Sequence, residues 1–226
     1  IKQSENLPIK ILPIASVSIG HKGSELCEFG KMVKEGAVAF SDAETSIENS
    51  QFLRNALGYA KMYDIPIMNK PKDIGISHEE GIVNEGLVST KLGLSGIPDI
   101  SESIVVYRDL MINKNVNGKL HIPHVTTKDS IATIKQFQKN GMNVTADVTP
   151  HHLMFNEMFI LNYNPNAKVD PPLRSEENRK AIIDSIKKNI VSCISSDHSP
   201  YVSEDKEKDI KHAPFGTIGL ESAFSA

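Results

Sequence analysis

The stretch 119–153 restricts the possible folds more than any other part of the chain. An apolar run occupies residues 120–125. Asp129 then opens a pattern in which Ile131, Ile134 and Phe137 recur three apart, the spacing of one helix face. Asn140-Gly141 stops that helix, and a second apolar alternation covers residues 142–148. Strand, helix and strand in this order is the unit of a parallel sheet. Histidines gather where the two strands run out: His121 and His124 on the first, His151 and His152 just past the second. In parallel α/β folds the chemistry sits at the carboxyl ends of strands, so three of the four lie where a site belongs, with His124 the deepest candidate.

The same alternation extends along the chain. Residues 9–17 (IKILPIASV) are almost continuously apolar, as in a strand buried on both faces. Residues 24–35 have a helical pattern with Leu26, Phe29 and Val33 on one face, and residues 37–40 form a short strand ended by Ser41-Asp42. Ser50 is expected to cap a helix with Phe52, Leu53, Ala56, Leu57 and Ala60 inward. Residues 65–68 are the next strand, running into Asn69-Lys70-Pro71, and residues 70–98 read as a long connection. Asp99 and Glu102 have the spacing of a capping box ahead of a helix carrying Ile104, Val105, Tyr107 and Met111, and Asn117-Gly118 turns the chain. Past His152 the Asn- and Pro-rich residues 154–174 read mostly as loop, because Pro171-Pro172 excludes a helix. Ser175 caps a helix containing Ala181, Ile182 and Ile186, residues 190–194 are a last strand, and the charged run 204–211 reads as solvated loop. Six strands interleaved with helices define the α/β class and suggest most of an eight-unit (β/α)8 barrel. A doubly wound sheet is the alternative, since one sequence does not give strand order.

Composition narrows the function classes. The chain has 226 residues, 39% apolar and 23% charged, so a folded domain is the default. Its net charge of −3, without a basic tract, argues against nucleic acid as a partner. No apolar run approaches the ~20 residues that span a bilayer, and no signal-peptide pattern is present, so the expected location is cytoplasmic. Cys27 and Cys193 both sit in apolar patterns and are expected to be reduced core thiols. The chain opens on Ile1 almost at a strand, so upstream residues are expected.

At the predicted strand ends stand Asp42, Asn69, His124, the His151-His152 pair and Asp197-His198. Carboxylates and imidazoles converging on one mouth are the ingredients of a zinc site, and a strand-end Asp197 could act as general base toward a metal-bound water. Each residue also has a plainer reading. His124 on an apolar strand is commonly a hydrogen-bonded core residue, His121 on the opposite face a structural one, His151-His152 a turn or cap, and Asp42 a turn aspartate. Asp197-His198 within Ser-Ser-Asp-His-Ser-Pro is the least ordinary, while His21 and His78 look like exposed loop residues.

Seven blocks carry a resemblance: Gly36-Ala-Val-Ala-Phe-Ser-Asp42, Gly81-Ile-Val-Asn-Glu-Gly86, Leu120-His-Ile-Pro-His-Val-Thr-Thr-Lys128, Asp147-Val-Thr-Pro-His-His-Leu153, Asn166-Ala-Lys-Val-Asp-Pro-Pro-Leu-Arg174, Ser196-Asp-His-Ser-Pro200 and Ala213-Pro-Phe-Gly-Thr-Ile-Gly-Leu-Glu221. In this order they resemble the dihydroorotase family of cyclic amidohydrolases, in its long bacterial type I branch. The resemblance implies a (β/α)8 barrel of amidohydrolase type, with residues 1–226 forming one partial barrel domain that holds strands three to eight and leaves out strands one and two. It implies a zinc centre that opens dihydroorotate or closes carbamoyl aspartate, in pyrimidine biosynthesis, and a homo-oligomer. Of the family's metal ligands, Asp42 matches the Asp of strand four, His124 the His of strand six, and Asp197 the Asp of strand eight, which also transfers the proton. The His-x-His of strand one lies upstream of this chain.

Three positions depart from the family pattern. Asn69 stands where a ligand histidine is expected, followed by Lys70; Tyr201 replaces a substrate-contacting histidine; and Asp170 replaces the asparagine of Asn-Pro-Pro-Leu-Arg, at the substrate. An amide is a weak zinc ligand and the lysine adds an unfavourable charge. The expectation is therefore a catalytically impaired member, without zinc, that acts as a structural partner of aspartate transcarbamoylase. The alternative is an active zinc dihydroorotase with a rebuilt centre.

Overall fold

The computed structural model describes residues 7–78 and 80–225. Its first half contains β1 (Ile14–Ala15), α1 (Phe29–Lys34), β2 (Ala39–Ser41), α2 (Ser50–Lys61) and β3 (Ile67–Met68). An excursion follows, with α3 (Ile74–Ser77), β4 (Val83–Asn84), α4 (Leu87–Leu92) and β5 (Gly96–Ile97). The second half contains α5 (Ile100–Val116), β6 (Leu120–Ile122), α6 (Lys128–Lys139), β7 (Val144–Val148), α7 (Pro150–Met154), α8 (Glu176–Lys187), β8 (Cys193–Ile194) and α9 (Ser203–Lys206).

Six strands form one sheet in the order β1-β2-β3-β6-β7-β8, and every pairing is parallel. This is chain order, without the reversal that marks a doubly wound sheet. The six are the strands expected from the apolar runs. The helices follow the same order, α2 against α5, α5 against α6 and α6 against α8. Their inward residues, among them Leu53, Leu57, Leu110, Ile134 and Ile182, close a core with Phe29, Phe40, Ile67, Leu120 and Ile122. Parallel strands share one polarity, so all six carboxyl ends open on one side.

Several local expectations are corrected. The first strand covers only two residues, and Ile9, Ile11, Leu12 and Ile14 are exposed, because β1 has a neighbour on one side only among the described residues. The cap of α2 is Asn49, whose side chain accepts the Phe52 N–H at 3.0 Å, and Ser50 is the first helical residue. Asp99 makes no capping bond to α5. It pairs with Arg174 at 3.1 Å, and Glu102 turns inward. On α5 only Val105 of the four expected apolar residues is buried, while Ile104, Tyr107 and Met111 face outward.

The stretch 70–98 is folded. Parallel strands β4 and β5 form a small second sheet over its own core of Ile82, Val83, Val88, Leu94, Ile160, Val169 and Leu173. Of 204–211, Ile210 joins that core and α9 takes in the first three residues, while Glu204, Glu207, Lys208, Asp209 and Lys211 are exposed as expected of a solvated run. Cys193 is exposed on β8 at the far end of the sheet and Cys27 is half-buried, so neither is a core thiol. No helix among the described residues is long and apolar enough to cross a membrane.

Candidate active site

At the carboxyl end of the sheet, β6, β7 and β8 bring His124, Asp147, His151 and Asp197 together. The register pairs His121 with Thr145, so Asp147, two residues further along β7, faces the end of β6. Its carboxylate is buried and bridges two imidazoles, with His121 Nε2 2.8 Å from Oδ2 and His124 Nδ1 2.9 Å from Oδ1. A carboxylate only accepts, so these nitrogens carry the protons. The His124 backbone N–H adds a third bond to Asp147 at 2.9 Å. Burial works against the Asp147 charge, but the two histidine bonds outweigh it and hold the carboxyl down at about 2.

The remaining ring nitrogen of His124, Nε2, looks at Asp197 Oδ1 across 3.8 Å, and His151 Nε2 approaches Asp197 Oδ2 to 3.7 Å. Both separations exceed a hydrogen bond. Neither nitrogen of His151 has a partner among the described residues, although the side chain is buried. Burial, and secondarily the neighbouring His124, lowers His151 to about 4, so it is neutral at physiological pH. Burial tends to lower His124 too, but the Asp147 bond and the charges of Asp147 and Asp197 raise it. Asp197 is raised, first by burial and then by Glu44 and Asp147, against the opposing pull of His124 and Lys70. His124 and Asp197 both have left-handed backbones, φ 53° and 43°. Such conformations cost about 1–3 kcal/mol each away from glycine and recur where side chains are aimed at a site.

Beside this group lies a cavity of about 340 Å³ lined by Glu44, Asp170, Asp197, Ser199, Tyr201 and Phe215. Lys70 lies beside it, its side chain only 2% exposed. Its ammonium donates to the Glu44 carboxylate, to Asp170 Oδ2 at 3.1 Å and to the Asp170 carbonyl at 3.3 Å. Lys72 holds the same Asp170 oxygen at 3.0 Å. Burial alone would raise Asp170 and lower Lys70, but their mutual attraction, with Lys72 and Glu44, reverses both shifts. The departures from the family pattern at 70 and 170 are thus in direct contact, each neutralising the other.

Other expected site residues are committed elsewhere. Asp42 is buried, and its carboxylate accepts from Val17 N and Ser18 N at 2.9 Å each, from Ser16 Oγ at 3.0 Å and from Ser18 Oγ at 2.5 Å. It fastens the loop after β1. Asn69 accepts the Ile47 N–H at 2.8 Å and donates to Asp109 at 2.6 Å. His121 gives its second nitrogen to Thr145. His152 lies between Thr149 Oγ1 and the Pro171 carbonyl, at 2.7 and 3.0 Å, and His198 Nδ1 accepts the Gly219 and Leu220 N–H groups.

Three further residues shape the site with little or misleading signal in the sequence. Asp147 shows only as a carboxylate inside an apolar strand. Buried Glu102 accepts Thr126 N at 3.1 Å and Thr127 N at 2.9 Å, with both hydroxyls, and so holds the loop after β6. Arg174 ties that loop to the small sheet through Thr126 Oγ1, Asn84 Oδ1 and the Ile97 carbonyl.

The residues that the resemblance offers to zinc do not fit it here. The oxygens of Asp42 and the amide of Asn69 are already engaged, and Lys70 brings a positive charge to the same mouth. Only His124 and Asp197 of the expected set stand together. Among the described residues, His121, Asp147 and Cys193 also lie within metal-ligand reach of one another, but both nitrogens of His121 are engaged in hydrogen bonds.

Parallel strands in chain order, with histidines and carboxylates at their carboxyl ends, define a class of α/β protein, and comparisons narrow it. The structure of L-hydantoinase (dihydropyrimidinase) from Arthrobacter aurescens matches 95% of this chain with a TM-score of 0.77 at 21% identity, using 49% of its own length. The dihydroorotase of Saccharomyces cerevisiae, solved with 5-fluoroorotic acid, matches 86% with a TM-score of 0.67 at 14% identity. These likenesses establish a parallel α/β fold shared with those two structures over about half their length. In sequence, the family described as "Dihydro-orotase-like" matches residues 1–130. The dihydroorotase of Caldicellulosiruptor saccharolyticus is 42% identical over 218 residues, 96% of this chain and 50% of that protein. That of Endomicrobium trichonymphae is 39% identical over 223 residues, 99% of this chain and 52% of that protein. The chain belongs to the dihydroorotase family, and it spans about half the length of the curated relatives it matches.

Proposed function

We propose that this is a dihydroorotase-family protein of pyrimidine biosynthesis, impaired in catalysis, that serves as a non-catalytic partner of aspartate transcarbamoylase. In this reading the parallel sheet is part of an eight-stranded barrel whose first two strands come from elsewhere in the protein. The observation that carries the impairment is the Asn69–Lys70 pair. The amide is tied to Ile47 and Asp109, and the ammonium is tied to Asp170 beside the cavity. A cavity lined by Glu44, Asp170 and Asp197 is also poorly matched to an anionic substrate such as dihydroorotate or carbamoyl aspartate.

An active zinc dihydroorotase is the second reading. It is favoured by His151, whose buried and unpartnered nitrogens stand beside Asp197 and could replace a lost ligand. The two readings separate in one assay. Full-length protein, supplied with zinc, is tested for opening of dihydroorotate and closure of carbamoyl aspartate, with and without aspartate transcarbamoylase. The first reading expects no turnover alone and raised transcarbamoylase activity on mixing. Turnover by the protein alone, lost in His151→Ala, would establish the second.

A further inference from the structure

We propose that Lys70 is the resident cation of this site and that its ammonium keeps divalent metal out of the mouth beside His124 and Asp197. This deepens the reading above, because it gives a physical cause for the misfit between the donor set and zinc. The side chain is 2% exposed, a position at which an ammonium group survives only with its protons engaged. All three protons have acceptors, namely the Glu44 carboxylate, the Asp170 carboxylate and the Asp170 carbonyl. The last two belong to the segment leading to the buried Pro171, so the lysine joins the end of β3 to the other wall of the cavity. It has no unengaged proton and no exposed face through which to swing into solvent.

The negative charge facing the cavity comes from Glu44, Asp170 and Asp197. Lys70 neutralises the first two directly and Lys72 reinforces Asp170 at 3.0 Å. Asp197 already has His124 at 3.8 Å and His151 at 3.7 Å, and the Lys70 charge reaches both Asp197 and His124. A divalent ion entering here would meet a fixed ammonium and carboxylates already spoken for. In a metal centre those carboxylates would be its counter-charge. The positive charge of the site is thus supplied by the chain itself.

The test is cobalt binding to the full-length protein, read as bound equivalents and as the visible absorption of the ion. It compares the wild type, His124→Ala, Lys70→Gln and the double variant. The expectation is that His124→Ala removes no cobalt from the wild type. Lys70→Gln should gain an equivalent that the double variant lacks, with affinity at that site tightened at least about tenfold, because a unit positive charge that repels the double charge of the ion is removed. Lys70→Arg, which keeps the charge, should gain none. A wild-type equivalent lost on His124→Ala would overturn the proposal, as would a folded Lys70→Gln without the additional ion. If Lys70→Gln does not fold, the wild-type comparison still decides whether metal occupies the site. Occupancy and turnover are separate readouts. Metal-free protein that opens dihydroorotate would refute the impaired-enzyme reading alone, and metal-loaded silent protein would refute this inference alone.

Discussion

Asn69 is expected to be a structural keystone, and its removal gives a large, quantifiable loss. Four residues form a closed ring of bonds. The Ile47 N–H donates to Asn69 Oδ1 at 2.8 Å, and Asn69 Nδ2 donates to Asp109 Oδ2 at 2.6 Å. Arg108 Nε donates to Asp109 Oδ1 at 2.8 Å, and Arg108 Nη2 returns to the Ile47 carbonyl at 2.6 Å. Asn69 is 1% exposed and Asp109 fully buried, so water does not replace a lost partner. Asn69→Ala removes a bond to a charged acceptor, worth about 1.5–3 kcal/mol, and strands the Ile47 N–H, at about 1–3 kcal/mol, so the expected loss is about 3–5 kcal/mol. Asn69→His should lose a similar amount, since an imidazole does not reproduce the amide's acceptor and donor on one planar fork. Equilibrium urea unfolding at neutral pH measures the loss. A double-mutant cycle with Asp109→Asn should give a coupling energy of about 1–2 kcal/mol. A loss for Asn69→Ala below about 1 kcal/mol would show that the ring does not hold the loop, and the structural assignment of Asn69 would be abandoned.

Three further outcomes follow from buried charges. Asp147 is held down at about 2 against an ordinary 3.8, so its ionised form stabilises the fold above pH 4, and about 2 kcal/mol of that is lost as pH falls from 4 through 2. Acid unfolding of Asp147→Asn should lack this component, and an unchanged slope would refute the bridge. His151, lowered from 6.5 to about 4, should remain neutral by ring-nitrogen NMR until pH nears 4; stability tied to it falls as pH drops from 6.5 to 4, and a midpoint near 6.5 would contradict its burial. Glu102→Gln should cost about 2–3 kcal/mol, because an amide accepts fewer of the four threonine donors, and should speed hydrogen exchange at Thr126 and Thr127. Unchanged exchange there would mean that other contacts hold the loop.

The fold was more legible in the sequence than the site. Parallel strands need contiguous apolar residues, and helices beside them need one apolar face, so all six strands could be read from local pattern. The excursion at 70–98 could not, because it is stitched by partners far away in sequence, such as Arg174 to Asn84 and to Ile97. His124 and Asp197 were found because strand ends are where chemistry collects. Asp42 occupies a comparable strand end, but its partners are backbone groups of 16–18, and nothing in its own neighbourhood announces that it is spent. For Asp147 the missing information was cross-strand register: only the pairing of His121 with Thr145 shows which histidines the carboxylate will reach.

The order of strands in the sheet also has a consequence for synthesis. Because β1, β2, β3, β6, β7 and β8 lie side by side in the order in which they are translated, a nascent chain never waits for a later strand to fill a gap. Each β/α unit emerging from the ribosome finds its neighbour already formed, and the sheet lengthens at a single growing edge. The excursion between β3 and β6 interrupts this progression, and its core is completed by Ile160, Val169, Leu173 and Ile210, which are made much later. Ribosome-stalled chains of increasing length should therefore gain protease resistance in steps at the unit boundaries. Residues 80–98 should stay cleavable until the chain has passed Ile210, which makes this small sheet the last part of the described fold to become secure.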